Sequence, residues 1–347
     1  MNKQPLSLDN EKFIQSVDKE NLARILNNFP ETCLKTLEKA KDSLKIPNSW
    51  NNFRFNKIIV SGMGGSGIVG DLTKTTAKPS IPFFINHKSK IGELLDKNTL
   101  SLIISFSGKT KETISCFNES IKKTPYTFVI STNGEAILKA KAKKIPFFQF
   151  KHPGPPRAAL WTQFVILISL LKKLRLTKIK DLESSFKKLK KINEKLSPKT
   201  PTRSNLSKHL AYSIFKHIPV IITLSEEKPV GHRWATQFHE NSKNFAFTLE
   251  LPEAFHNFVE CRLPDFLKYE LFFIVLSTKK KNSHLSKAIN FFEKYNFNYE
   301  FVASPEENYL EKVIHLTLIG DWASYYLSIL NKISPLPTER ITWLKKH

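Results

Sequence analysis

An α/β fold of two α/β/α sandwiches with mostly parallel sheets is predicted by three features of the 347-residue sequence. Short apolar runs alternate with amphipathic helical stretches, loops of small residues follow the early runs, and the arrangement occurs twice along the chain. The length exceeds the usual size of one hydrophobic core, so two domains are expected, and a hydrophobic share of 41% lets each bury its own. With 27 Phe against 2 Met and 5 Trp, phenylalanine supplies much of the apolar volume.

The elements follow in order. From residue 9 to 44, Phe13, Val17, Leu22, Ile25, Leu26, Phe29, Leu34, Leu37 and Leu44 recur at helical spacing with a break near Pro30, which predicts leading helices. Strands are expected at 57–61, 82–86, 102–105, 127–131 and 146–150. Helical stretches between them imply a parallel sheet covered on both faces. Two more helices are expected at 157–174 and 180–196, and the polar stretch SPKTPTRSN (197–205) reads as a linker. The second half repeats the design with strands at 219–223, 246–250, 272–277 and 299–302. The expected domains are 1–175 and 206–347, with 176–205 as a helical linker.

Composition narrows the function classes. The formal charge of +23, from 54 basic and 31 acidic residues, raises the question of nucleic acid. The lysines are spread along the chain, thickest at 178–199 where KKLKK resembles a solvated helix face, and no zinc-finger spacing, RNP motif or helix-turn-helix accompanies them. No nucleic-acid partner is expected; a positive field also attracts small anionic substrates. Three cysteines, Cys33, Cys116 and Cys261, are too few and too scattered for a disulfide framework or a paired metal site. The start, MNKQPLSLDNEKF, lacks the apolar core of a secretory signal. The longest mainly apolar run, 164–171, is too short to cross a bilayer. A cytoplasmic protein without a membrane partner is expected.

Four segments carry chemistry. SGMGGSGIVGD (61–71) follows a strand and opens a helix, so its glycines allow close approach of a ligand and its N–H groups favour phosphate. Gly62, Gly64 and Gly67 formally spell G-x-G-x-x-G, but Asn86 and His87 stand where a dinucleotide site needs an acidic residue. A nicotinamide cofactor is therefore disfavoured. SFSGKTKET (105–113) again joins strand to helix, and the hydroxyls of Ser105, Ser107 and Thr110 can converge on a phosphate or simply cap the helix. Both loops fall at the carboxyl ends of strands, where open α/β sheets bind ligands. In GHRWATQFHENSK (231–243), Trp234 and Phe238 face the core, while Arg233, Gln237, Glu240 and Asn244 form a second stripe that periodicity alone reads as solvated. In PEAFHNFVE (252–260), His256 and Asn257 sit in a loop. The loop after the first strand of the second half is LSEEKPVG, so only the first half keeps an anion cradle.

These segments, with PPRAAL and a near-terminal LKK, resemble the phosphoglucose/phosphomannose isomerase family, whose members carry two SIS (sugar isomerase) domains. The likeness covers most of the chain, and the motifs keep the family's order and spacing. It implies an aldose–ketose isomerase of hexose 6-phosphates working through a cis-enediol, without metal or cofactor. It further implies a phosphate pocket of Gly64, Gly65, Ser66, Ser105, Ser107 and Thr110, with Glu240 as base, Arg157 beside the enediolate, His256 for ring opening and Lys345 as the near-terminal lysine. Thr338 matches the position associated with tolerance of the mannose epimer. In the family His256 reaches the site from the second subunit, so a homodimer is implied.

The residue types suit the reaction. One carboxylate can carry a proton between neighbouring carbons as base and then acid, a fixed guanidinium stabilises the enediolate, and a group of near-neutral pKa moves the ring proton. Ala235, His239 and Phe258 depart from the family pattern around Glu240 and His256. A non-catalytic SIS-type sugar-phosphate regulator is the alternative from another class.

Overall fold

A computed structural model of the chain describes residues 7–346 apart from 180, 263, 265, 266, 268, 280 and 281. The chain divides into two compact units, Asn28–Lys188 and the combination of Met1–Asn27 with Leu189–His347. The opening helices α1 (Glu11–Val17) and α2 (Leu22–Asn27) thus group with the C-terminal half.

The 28–188 unit runs α3 (Phe29–Ser43), β1 (Lys57–Ser61), α4 (Gly65–Thr76), β2 (Phe83–Asn86), β3 (Thr99–Ser105), α5 (Lys111–Lys123), β4 (Thr127–Ser131), α6 (Gly134–Ala142), β5 (Phe147–Gln149) and α7 (Leu160–Lys173). Its five strands are all parallel in the order β2-β1-β3-β4-β5, with Ile58 of β1 opposite Phe83 of β2 and Leu100 of β3. Ile58, Ile59 and Val60 are 0% exposed, as expected of a strand covered on both faces. On one face Ile59, Ile103 and Val129 pack against Ile114, Phe117 and Ile137 of α5 and α6. Strand β3 starts three residues before the sequence expectation because its polar start is satisfied internally. Ser101 shares a 2.7 Å hydrogen bond with Ser120, and the Thr124 hydroxyl donates to the Thr99 carbonyl.

Helix α8 (Leu182–Leu196) carries the chain across the division, which falls between Lys188 and Leu189; Lys180, where this helix was expected to begin, lies outside the described residues. There follow α9 (Leu206–Ile214), β6 (Ile218–Leu224), α10 (Lys228–Gln237), β7 (Phe247–Leu251), β8 (Leu271–Ser277), α11 (Ser283–Lys294), β9 (Tyr299–Ala303), α12 (Tyr309–Leu330) and α13 (Glu339–Lys346). This sheet too is parallel, in the order β7-β6-β8-β9. Its central helix α12 is long and apolar enough to cross a membrane by length and composition, yet 94% of its apolar window is buried inside the protein, the mark of a core helix.

The boundaries expected from sequence, 1–175, 176–205 and 206–347, differ from this division for a physical reason. Lys208 is wholly buried, and its ammonium donates to Asp9 at 2.9 Å and to the Pro198 carbonyl at 2.8 Å. Tyr325 of α12 donates to Asp18 at 3.0 Å, while Asp18 also accepts from the Leu22 and Ala23 amides that start α2. Those bonds fasten the leading segment to the C-terminal unit. The 197–205 stretch is likewise structured, since Asn205 caps α9 and the Asp9 carboxylate accepts from the Thr202 amide and hydroxyl.

In the C-terminal sheet the crossover reverses between β6 and β8, the place where open α/β sheets hold ligands. Here Glu227, at the end of the one-turn helix Ser225–Glu227 that follows β6, is 0% exposed, and the Thr278 hydroxyl after β8 donates to its Oε1. Its Oε2 is buried without a hydrogen-bond partner among the described residues, and burial pushes the carboxyl above its ordinary pKa. A group whose folded pKa is raised stabilises the protein most below its unfolded value, and that stability is lost as pH rises through the folded pKa. Glu227→Gln, neutral at every pH like the protonated acid, is therefore expected to be about as stable as the parent at pH 4, where the carboxyl O–H and the amide N–H are alike unpaired, and to exceed it at pH 8. Thermal unfolding across that range checks it; a pH-independent difference contradicts it.

Candidate functional site

In the 28–188 unit, both small-residue loops lie at the carboxyl end of the sheet, after β1 and β3. The first crosses close to its neighbours. A Cβ on Gly62 would lie 2.9 Å from the Ser66 carbonyl oxygen and 3.0 Å from that of Ile104, and Gly64 turns through φ +52° to start α4. Ser66 is 5% exposed; its hydroxyl donates to Oε1 of Gln163 in α7 at 2.8 Å and accepts from the Phe106 amide at 3.2 Å. One hydroxyl thus joins the first loop to the second.

The second loop is braced from inside. The buried Ser105 hydroxyl accepts from the Gly108 amide at 3.1 Å and lies 3.4 Å from Oγ1 of Thr110. Gly108, at φ +64°, sits so close to the Asn133 carbonyl that a Cβ would approach its oxygen to 1.8 Å. Ser107 is exposed and accepts from the Lys109 amide, and Thr110 occupies the cap of α5 without making a side-chain capping bond. A Cβ on Gly65 would lie 3.4 Å from the Pro156 carbonyl oxygen and 3.5 Å from Cα of Arg157, which is 4% exposed in the one-turn helix Pro156–Ala159. This unit therefore gathers Gly64, Gly65, Ser66, Ser105, Ser107, Thr110 and Arg157 at one sheet edge. A cleft of about 700 Å³ flanks the second loop, lined by Phe106, Thr132, Asn133, Gln149, Phe150 and His152. Burial lowers the pKa of His152.

In the C-terminal unit, Glu240 lies in a π-helical turn, Phe238–Ser242, that continues α10. Trp234 and Phe238 are buried as expected, but so are Arg233 and Gln237 of the stripe that periodicity reads as solvated, at 1% and 2% exposure. The cause is α12: Arg233 makes a bidentate pair with Asp321 at 3.0 and 3.1 Å, and Trp234 donates to the Leu316 carbonyl. Paired charges can be buried where an isolated one cannot. The wider turn leaves Glu240 half-buried and ends at Lys243, with φ +57°.

The ammonium of Lys243 donates to the Glu240 carbonyl at 2.6 Å and to the Pro337 carbonyl at 2.7 Å, tying the Glu240 turn to the stretch that ends at Thr338. Sequence reading missed this role, as it missed Gln163; Lys243 reaches Pro337 and Gln163 reaches Ser66, partners 94 and 97 positions away. Asn241 donates to Ser324 of α12 at 3.0 Å. The departures from the family pattern find local partners. His239 pairs with the Ala246 carbonyl at 3.0 Å, and Phe258 packs edge-on against Phe273. His256 is exposed at the end of the short helix Glu253–His256, and Lys345 is exposed on α13. Among the described residues no three His, Cys, Asp or Glu side chains converge as a metal-ligand set.

Residues 203–347 match the bacterial phospho-glucose isomerase C-terminal SIS domain. A bifunctional phosphoglucose/phosphomannose isomerase of Caldicellulosiruptor bescii is 30% identical over 332 residues, covering 92% of this chain and 96% of that protein. A protein of the same description from Thermoplasma volcanium is 29% identical, covering 88% and 96%. Among solved structures, a glucose-6-phosphate isomerase like protein from Thermus thermophilus superposes with TM-score 0.65 at 16% identity, covering 98% of this chain and 99% of that one, which shows a shared fold. The C-terminal domain of a Francisella tularensis glucosamine-fructose-6-phosphate aminotransferase gives 0.64 at 15% identity, covering 90% and 97%. Two parallel sheets with loops of small residues at the first one's carboxyl edge, and an identity of 30% carried along 92% of the chain, lead to one conclusion: the protein belongs to the bifunctional phosphoglucose/phosphomannose isomerase family.

Proposed function

We propose that the protein interconverts glucose 6-phosphate, and mannose 6-phosphate, with fructose 6-phosphate by proton transfer through a cis-enediol. The observation that supports the reading is the contact of the Gly65 backbone with the Arg157 turn, since a buried arginine thereby adjoins the first of two loops that would cradle the phosphate. The phosphate would be held by Gly64, Gly65, Ser66, Ser105, Ser107 and Thr110, far enough from the reacting carbons for its binding to orient them. Fastening by Ser66 is consistent with a cradle already formed before substrate arrives.

Glu240 is the proposed base, removing a proton from one carbon and returning it to the next. Its turn is half-buried and is held at the Glu240 backbone carbonyl by Lys243. Arg157 would stabilise charge developing on the enediolate oxygens. His256 would shuttle the ring proton with help from Lys345, and its exposure suits a residue offered to the site of a second copy in a homodimer. Thr338, next to Pro337 whose carbonyl accepts from Lys243, would influence which epimer is accepted. Cytoplasmic location accompanies this metabolic role. The isomerase reading is favoured over a non-catalytic sugar-phosphate regulator by the family to which the chain belongs.

Glu240→Gln is expected to lower turnover of fructose 6-phosphate by at least about a thousandfold, the scale of an acid–base contribution, while sugar-phosphate binding stays within a few fold. A coupled assay for both aldose products, with calorimetric binding alongside, checks this. Retention of full activity contradicts the mechanism.

A further inference from the structure

His87 follows β2 at the carboxyl edge of the 28–188 sheet and has no part in the mechanism above. Its Nε2 lies 3.1 Å from an Asp71 carboxylate oxygen on α4. The ring rests against the first turn of the same helix: a Cβ built on Gly67 would stand 2.6 Å from His87 Nδ1, 2.7 Å from its Cε1 and 2.8 Å from the Gly62 carbonyl oxygen. Glycine at 67 thus opens the space that the imidazole fills, behind the loop whose front face is the phosphate cradle. No dinucleotide needs a histidine here, and the sequence offers it where a ribose-binding acid would stand.

Resting on the reading of the two loops as a phosphate cradle, we propose that His87, paired with Asp71, is a positioning residue that braces the Gly62–Gly67 loop and thereby sets affinity for the phosphate group, leaving proton transfer to other residues. Two properties make it suitable. The ring is planar and half-exposed, so it fills a gap between β1, β2 and α4 without losing its hydration altogether. Its protonated form carries positive charge behind a loop that receives a dianion.

The surroundings define its charge. Asp71 is the charged group that acts on the ring, and with the Gly62 backbone it raises the pKa above 6.5 against the opposing effect of partial burial. From α5, Cys116 faces the neighbouring backbone instead, donating to the Lys88 carbonyl at 3.2 Å and receiving the Asn86 amide at 3.1 Å; burial keeps its thiol neutral. Lys88 and Lys90 are exposed. A raised pKa means that the imidazolium's contribution is complete below the ordinary histidine value and is lost as pH rises through the shifted one.

The test compares the full-length protein with His87→Gln and Asp71→Asn, reading the KM and kcat for fructose 6-phosphate from pH 6 to 9 and, separately, the dissociation constant of inorganic phosphate by calorimetry. For His87→Gln, KM and the phosphate dissociation constant are expected to rise about tenfold, the scale of one charge-assisted contact, with kcat changed less than twofold. Asp71→Asn keeps the ring, so its KM should match the parent at pH 6 and begin to rise at a lower pH than the parent's. Unchanged phosphate affinity in His87→Gln overturns the proposal, as does a loss confined to kcat. If the parent shows no isomerase activity while phosphate binding still depends on His87, the bracing role stands and the isomerase reading falls.

Discussion

A single buried hydroxyl, that of Ser66, holds together the two loops on which the proposed chemistry depends. Each loop alone is a commonplace strand-to-helix turn with exposed N–H groups. Between them, the Ser66 hydroxyl accepts from the Phe106 amide and donates to Gln163, so the first turn of α4 is bonded to both the second loop and α7. A hydrogen bond of this kind contributes only about 1 kcal/mol to net stability, yet leaving its buried partners unpaired costs more. That asymmetry makes it a constraint on geometry more than a source of stability. Arg157 inherits its position from the same assembly, because its turn rests on Gly65 and leads directly into α7.

The C-terminal unit uses the same sheet order to a different end. Its equivalent crevice, between β6 and β8, is filled by the carboxylate of Glu227 and the hydroxyl of Thr278. A buried side chain stands there instead of a loop of small residues with free N–H groups, so this edge lacks the feature that the first unit's loops have. What this unit offers instead is Glu240, set on a widened helical turn whose position is fixed by Arg233–Asp321 on one side and by Lys243 on the other. The first anchor is a buried cation paired with a carboxylate, which tolerates burial far better than a lone charge, and the second is an exposed ammonium bound to backbone carbonyls.

The alternation of apolar runs with helices was enough to locate each described strand within a few residues, because strands buried on both faces leave near-continuous hydrophobic signatures. The glycine and hydroxyl loops were legible for the same reason: their chemistry is local. Three things were not. The grouping of residues 1–27 with the C-terminal half depends on Lys208 reaching Asp9 and on Tyr325 reaching Asp18, contacts between residues about 200 and 300 positions apart. The Arg233 and Gln237 stripe carried a polar periodicity, and the burial of Arg233 against it depends on Asp321 of α12, 88 positions away. Glu227 sat in a loop whose acidic character signalled the loss of an anion site without revealing that its own carboxylate closes it.

The linkage of the two loops is tested most directly by a double-mutant cycle on inorganic-phosphate binding with Ser66→Ala and Gln163→Leu. Gln163 is wholly buried; its Oε1 accepts from Ser66 and its Nε2 donates to the Ala159 carbonyl, and Leu at 163 removes the bond to Ser66 along with the weaker one to Ala159. Each single change is expected to weaken binding about tenfold, and the double change to be no worse than either alone, since both remove one shared constraint. Additive losses, or an affinity that survives Ser66→Ala intact, would contradict the account.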